Sequence, residues 1–221
     1  MYGTLTTGDR AAVERVCQDV IAAVGLDLSP RALGVAWGER FFLALDHAND
    51  AEFATLFEVE ARTLRATVAD HGTTIDPYPY VRQLTAYWRA APLQPEATEF
   101  FTSFPLPICI VSNADRADLL ACLARYGLQP AEVVTSEDVR SYKPAPLIFA
   151  EALQRTGWRP ERVIHVGDSL HSDVGGARAA GLRSGWLNRT QRIHDIGRDQ
   201  PDYEFADLHA LTTLVRQLPS A

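Results

Sequence analysis

A chain of 221 residues, 47% apolar and 22% charged, can bury the core of one α/β domain and a modest insertion. Its net charge of −7 excludes a nucleic-acid surface built on clustered Lys and Arg, and small molecules are the expected partners. No run approaches the roughly 20 apolar residues of a membrane span, and the start lacks the basic and apolar blocks of a signal peptide, so a cytoplasmic protein without a membrane partner is expected.

From residue 8 to about residue 92 the apolar pattern is helical. Ala12, Val13, Val16, Val20 and Val24 recur at steps of three and four, and Gly25 supplies a stop. Ser29-Pro30 opens a second helix carrying Trp37, Phe41, Phe42 and Leu45. Residues 53–70 and 81–89 repeat the amphipathic pattern, and nothing in this stretch reads as a strand. After Pro107 the apolar run Ile108-Cys109-Ile110-Val111 ends at Ser112-Asn113 and leads into a helix over 116–126. Further strands are expected at 131–134, 162–166 and 184–187, alternating with helices at 146–156 and 173–180, and 207–218 reads as a closing helix. Such alternation predicts an α/β fold with a parallel, doubly wound sheet. Residues 1–7 and 93–221 are expected to form the core and residues 8–92 a helical cap. Cys17, Cys109 and Cys122 have no Cys-x-x-Cys spacing and read as buried, reduced thiols.

Open parallel sheets bind ligands beyond the carboxyl ends of their strands, which makes the polar residues there candidates for a site. Ser112 and Asn113 end the first run, Lys143 lies in Ser-Tyr-Lys-Pro after the second, and Gly167-Asp168-Ser169 ends the third, with Asp173 close behind. A hydroxyl and an ammonium can hold an anionic oxygen, and two carboxylates at one strand end can hold Mg²⁺, a hard cation that prefers oxygen. Each piece also has an ordinary reading: Ser-Asn as a turn, Gly-Asp-Ser as a helix cap, and Asp173 as a first-turn residue favoured by the helix dipole. Their order, each after an expected strand, favours the chemical reading.

With these motifs in place the sequence resembles the haloacid dehalogenase superfamily of hydrolases. Ile110-Val111-Ser112-Asn113 is similar to its second motif, Lys143-Pro144 to its third, and Val166-Gly167-Asp168-Ser169 with Asp173 to its fourth. Gly176-Ala177-Arg178-Ala179-Ala180-Gly181 and Leu187-Asn188-Arg189 resemble the family's flanking segments. Met1-Tyr2-Gly3-Thr4-Leu5 then resembles the remainder of the first motif, with Met1 directly after the position of the nucleophilic Asp. On this reading the Asp and its strand are missing from the chain, through a start placed at an internal methionine.

The resemblance implies phosphoryl transfer to that Asp and release to water, with a small phosphorylated metabolite as substrate. It further implies Mg²⁺ held by the Tyr2 carbonyl and Asp168 with support from Asp173, anion binding by Ser112, Asn113 and Lys143, and orientation of the nucleophile loop by Thr4. Tyr2 departs from the phosphatase pattern, which has an acid there to protonate the leaving group. A tyrosine is typical of 2-haloacid dehalogenases, so C–X hydrolysis is the alternative, and a non-catalytic binding protein the third reading. The helical insertion has the position of a lid whose Trp37, Arg40 and Phe41 either face substrate or pack the helices, with Arg40 the candidate substrate-binding cation.

Overall fold

A computed structural model describes residues 1–192 and 200–217. The amphipathic pattern of the first ninety residues becomes four helices. α1 (Asp9–Val24) ends at Gly25, and α2 (Pro30–His47) starts at Ser29, whose side chain accepts from the Ala32 N–H. α3 (Leu56–Ala69) begins later than the apolar pattern suggests, because a 3₁₀ turn at Asp50–Glu52 intervenes and Thr55 caps the helix through the Glu58 N–H. α4 (Tyr78–Trp88) starts three residues early, with proline in its first turn. Val16, Val20, Leu33, Trp37, Leu64, Val68, Val81 and Leu84 of these helices share one buried cluster. Fully burying such side chains contributes about 1.5–3 kcal/mol each. Trp37 is part of that core, with its indole N–H donating to Thr63 Oγ1 at 3.0 Å.

The chain leaves for the helices and returns at adjacent points, joined by an antiparallel bridge between Thr6 and Leu93. α5 (Ala97–Ser103) follows, a helix the pattern reading did not mark. Then come β1 (Cys109–Ser112), α6 (Arg116–Arg125), β2 (Glu132–Thr135), the single-turn α7 (Ser136–Val139), α8 (Leu147–Thr156) and β3 (Ile164–Gly167). A π-helical turn at Leu170–Gly175 runs into α9 (Gly176–Ala179), so the helix expected at 173–180 starts earlier and in a wider coil. β4 (Arg183–Leu187), β5 (Tyr203–Phe205) and α10 (Leu208–Gln217) complete the described chain, and residue 218 of the expected closing helix lies outside it.

All strand pairs are parallel: β1 with β2, β3 with β4, and β4 with β5. This is the α/β class expected from the alternation of strand and helix. Among the described residues β1 and β3 do not pair with each other. Leu5, Phe100, Ile110, Leu119, Leu123, Leu187, Phe205 and Leu208 pack together on one side, and Val134, Ile148, Phe149 and Ala177 form a second cluster. Burial pushes the thiols of Cys17 and Cys109 up to about 12. No helix among the described residues is long and apolar enough to cross a membrane.

The helical segment meets the α/β part through polar capping as well as apolar packing. Asp115, which precedes α6, accepts from the N–H groups of Leu56 (2.7 Å) and Phe57 (3.0 Å), two of the unpaired donors at the start of α3. Tyr142 packs against Leu45, Leu56 and Val59 and stacks on Phe53. Close by, the buried Glu60 of α3 accepts from Trp88 Nε1 at 3.0 Å. Burial pushes its acid up from 4.5 to about 8, with Asp115 and Asp118 adding to the rise against the Trp88 bond.

The sign of the effect follows from proton counting. Between pH 4.5 and about 8 the folded chain keeps a proton on Glu60 that the unfolded chain has released. Stability is therefore lost as pH rises through this window, at up to about 1.4 kcal/mol per pH unit from this group. Glu60→Gln, which mimics the neutral acid, should be nearly neutral at pH 5 and raise Tm above pH 8. Thermal unfolding followed by circular dichroism checks this; a Tm difference that does not change with pH contradicts it.

Candidate active site

The carboxyl ends of β1 and β3 and the loop between α7 and α8 meet at a buried ion pair. Lys143, 8% exposed, donates through Nζ to Asp173 Oδ1 at 2.6 Å and to the Val111 carbonyl at 3.2 Å. Asp173, 5% exposed, is also 3.0 Å from His165 Nε2 through the same oxygen, and its Oδ2 accepts from the Ser169 N–H at 3.0 Å. Burial alone would raise the Asp173 acid, but Lys143 and the His165 bond outweigh it and hold the carboxyl well below the usual range. Burial lowers His165, so the imidazole is neutral and its Nε2 proton faces the carboxylate. The wide π turn carries Asp173 back over β3, and Gly167 leaves room for it: a Cβ there would lie 2.1 Å from Asp173 Cγ. Asp173 therefore accepts from three groups, Lys143, His165 and the Ser169 N–H, and is the counter-ion of the buried lysine.

Asp168 differs. Its Oδ1 accepts from the Thr4 hydroxyl at 2.9 Å, and its Oδ2 has no hydrogen-bond partner among the described residues. Gly3, at φ +75°, passes so close that a Cβ would be 2.6 Å from that oxygen. The Asp168 carbonyl accepts from Trp186 Nε1 (3.1 Å) and Arg192 Nη2 (2.6 Å), which fixes the residue from behind. Burial first, then the charge of Asp173, raises the Asp168 acid, with the Thr4 bond opposing. The Met1 nitrogen is buried beside the same groups: burial, then Lys143, lowers its ammonium to about 6, while Asp173 and Asp168 act in the other direction.

The donor set bears on Mg²⁺. Among the described residues no three acidic, His or Cys side chains are grouped to hold a metal by themselves. Asp168 Oδ2 is nonetheless free, and the Tyr2 carbonyl accepts no hydrogen bond among the described residues. One carboxylate and one carbonyl suit an ion that takes most of its ligands from water and phosphate.

The other expected residues divide. Ser112, itself a buried residue, ends β1 beside Val111, and its hydroxyl has no hydrogen-bond partner among the described residues. Asn113 is turned to the protein: its Oδ1 accepts from the Lys143 N–H (2.7 Å) and its Nδ2 donates to the Lys143 carbonyl (3.1 Å), so it places the lysine. The Tyr2 phenol donates to the Trp88 carbonyl at 3.0 Å and its ring packs on Trp88, turned away from Asp168; burial pushes its pKa up. Arg40 pairs with Asp70 inside the helical segment and is not brought to the site. Phe41 packs between the helices.

Three positioning residues escaped the sequence reading. His165 stands two residues before Gly167 in an apolar strand, and that alternation was its available signal. Asn49 has none: its Oδ1 accepts from Ser141 Oγ (3.1 Å) and from the Tyr142 N–H (2.7 Å), while its Nδ2 reaches the carbonyls of Leu45 and Asp46 at the end of α2. Arg189, within a noted segment, donates to the Thr4 carbonyl at 3.1 Å and pairs with Glu96 at 2.6 Å.

A sequence profile described as haloacid dehalogenase-like hydrolase matches residues 1–181. The chain belongs to the haloacid dehalogenase-like hydrolase family. Among relatives of this hydrolase-family chain, a glyceraldehyde 3-phosphate phosphatase of Methanopyrus kandleri is 39% identical over 93 residues, 39% of each chain. A phosphoserine phosphatase of Thermus thermophilus is 35% identical over 128 residues, 54% of this chain and 50% of the relative. The match thus spans half or less of either relative's length. In three dimensions the L-2-haloacid dehalogenase of Xanthobacter autotrophicus superposes with a TM-score of 0.80 at 22% identity, over 99% of this chain and 96% of that one, which establishes the shared fold.

The Lys143–Asp173 pair generates a stability prediction. Asp173→Ala strands a buried ammonium and should cost about 3–5 kcal/mol in urea unfolding, whereas the double change Lys143→Met with Asp173→Leu should recover most of that loss. A single substitution costing less than about 1 kcal/mol would show that the pair does not organise the site.

Proposed function

We propose that this chain is the substrate-binding and charge-handling part of a phosphomonoester hydrolase acting on a small phosphorylated metabolite. One observation carries the reading: the unpartnered Ser112 hydroxyl at the end of β1, the remaining N–H of Lys143 in the loop between α7 and α8 and the free oxygen of Asp168 after β3 belong to segments that Lys143 joins through Val111 and Asp173. Ser112 and Lys143 would bind phosphoryl oxygens, Asp173 and His165 would hold Lys143 in place, and Thr4 would orient Asp168. Mg²⁺ held by Asp168 and the Tyr2 carbonyl would supply neutralisation of the phosphoryl charge. The family resemblance calls for attack by an aspartate carboxylate at the position directly before Met1, forming a P–O bond as the ester P–O bond breaks, followed by hydrolysis with water. Residues 8–92 would act as the lid, its Asn49 and α3 seated on the loops that carry Lys143 and Asp115. The phosphatase names of the two relatives support a phosphorylated substrate.

One observation favours a second reading. Tyr2 is bonded to the Trp88 carbonyl and leaves no acid beside Asp168 to protonate an alkoxide, whereas halide leaves without a proton. A relative named (S)-2-haloacid dehalogenase, from Pseudomonas sp., is 26% identical over 155 residues.

A protein carrying an apolar strand and an Asp directly before Met1, assayed on a panel of phosphomonoesters and 2-haloacids with and without Mg²⁺, separates the two. Phosphatase turnover should require the metal, fall about 100-fold or more with Lys143→Met, and need a higher Mg²⁺ concentration with Asp168→Asn. Metal-independent dehalogenation that survives Asp168→Asn would overturn the phosphatase reading.

A further inference from the structure

α2 is apolar on two opposite faces. One stripe, Leu33, Trp37, Phe41 and Leu45, packs into the helical segment. On the other, Val35, Phe42 and Leu43 are 54%, 63% and 65% exposed, and they account for half of the six exposed large apolar side chains among the described residues. The remaining three, Leu106, Leu120 and Leu147, are spread singly over other elements. A surface helix normally presents charge opposite its buried stripe, and an apolar second stripe marks a contact surface.

The order of residues along this stripe indicates what covers it. Arg31, Val35, Glu39, Phe42 and Asp46 recur at steps of three and four, so they share a face, with a cation at one end and an anion at the other. Positions 31 and 46 are centred on the same point as 35 and 42, between Gly38 and Glu39. Laid antiparallel on a second α2 about that point, Arg31 meets Asp46 at both ends and Val35 meets Phe42 twice, with Leu43 alongside. Arg31 makes no ion pair within the described chain. Asp46 is 3.2 Å from His171 through Oδ1, which leaves Oδ2 for another cation. A Cβ added to Gly38 would meet nothing within 4 Å, so the helix surface is open beside the axis. Self-complementarity of this kind is what a two-fold interface requires, since each residue must find its partner on the same surface.

We propose that the exposed face of α2 is the interface of a homodimer, with two α2 helices antiparallel about an axis between Gly38 and Glu39. One helix pair is smaller than the interfaces of permanent dimers, so the association depends on concentration. Glu39 of both copies lies beside the axis, and their like charge opposes association. The proposal does not depend on which reaction the site performs.

Sedimentation velocity of the chain from about 1 µM to about 500 µM should show a monomer–dimer equilibrium. Phe42→Glu should abolish it while leaving circular dichroism and Tm unchanged, since Phe42 is mostly exposed. The decisive arm is charge reversal. Arg31→Glu alone and Asp46→Arg alone should each fail to self-associate, their equimolar mixture should form a heterodimer, and the double variant should dimerise again. Glu39→Gln should tighten the dimer several-fold. A chain that stays monomeric throughout, including one whose α2 face is covered by some other protein, overturns the proposal. So does a dimer indifferent to Phe42→Glu, or a mixture of the two single reversals that stays monomeric.

Discussion

The buried contact between Lys143 and Asp173 is the point on which the α/β part is organised. It ties the end of β1, through the Val111 carbonyl, to β3 and to the loop after α7, three segments without a shared hydrogen-bond ladder at that place. Removing two charges from water costs several kcal/mol per ion, and the cost is met only where every lone pair and proton finds a partner. Here Asp173 has Lys143, His165 and the Ser169 N–H, which leaves few positions the three segments can adopt. Gly167 and the π turn follow from the same need, since a side chain on β3 or a tighter helix would push the carboxylate off the lysine.

Two carboxylates five residues apart thus acquire opposite characters. Asp173 accepts from three donors and its acid is held well below the usual range, whereas Asp168 is buried beside it with one oxygen free among the described residues and its acid raised. The sequence offers both as acidic residues after one strand; the fold pairs one with Lys143 and leaves the other with an oxygen that accepts from no described residue. A shared fold does not fix the chemistry, which resides in a few side chains at a site.

What could be read in advance follows from the kind of signal each feature emits. α1 to α4 carry long periodic runs and the strand around 109 follows an uninterrupted apolar one, so they were legible, while the strands around 164 and 184 are short and interrupted by His165 and by Ser184-Gly185 and were read from the alternation with helices. α5, α7 and β5 are seven, four and three residues long, too short for periodicity to stand out. Ser112, Lys143 and Asp168 were legible because strand ends are where a parallel sheet presents side chains. A lone cation on a helix gives no clue to its partner, which for Arg40 is Asp70, thirty residues later in the chain. The roles of Asn113 and Asn49 depend on tertiary neighbours 30 and 92 residues away, a relation that no local pattern encodes.

Those two asparagines have a thermodynamic consequence. The strip of chain leading to Lys143 is gripped on one side by Asn113 from the sheet and on the other by Asn49 from the end of α2. Any change that unseated the end of α2 would therefore also release one side of the lysine loop. By reciprocity, any anion that gained free energy from finding the lysine already fixed would return it in full as tighter seating of the helices.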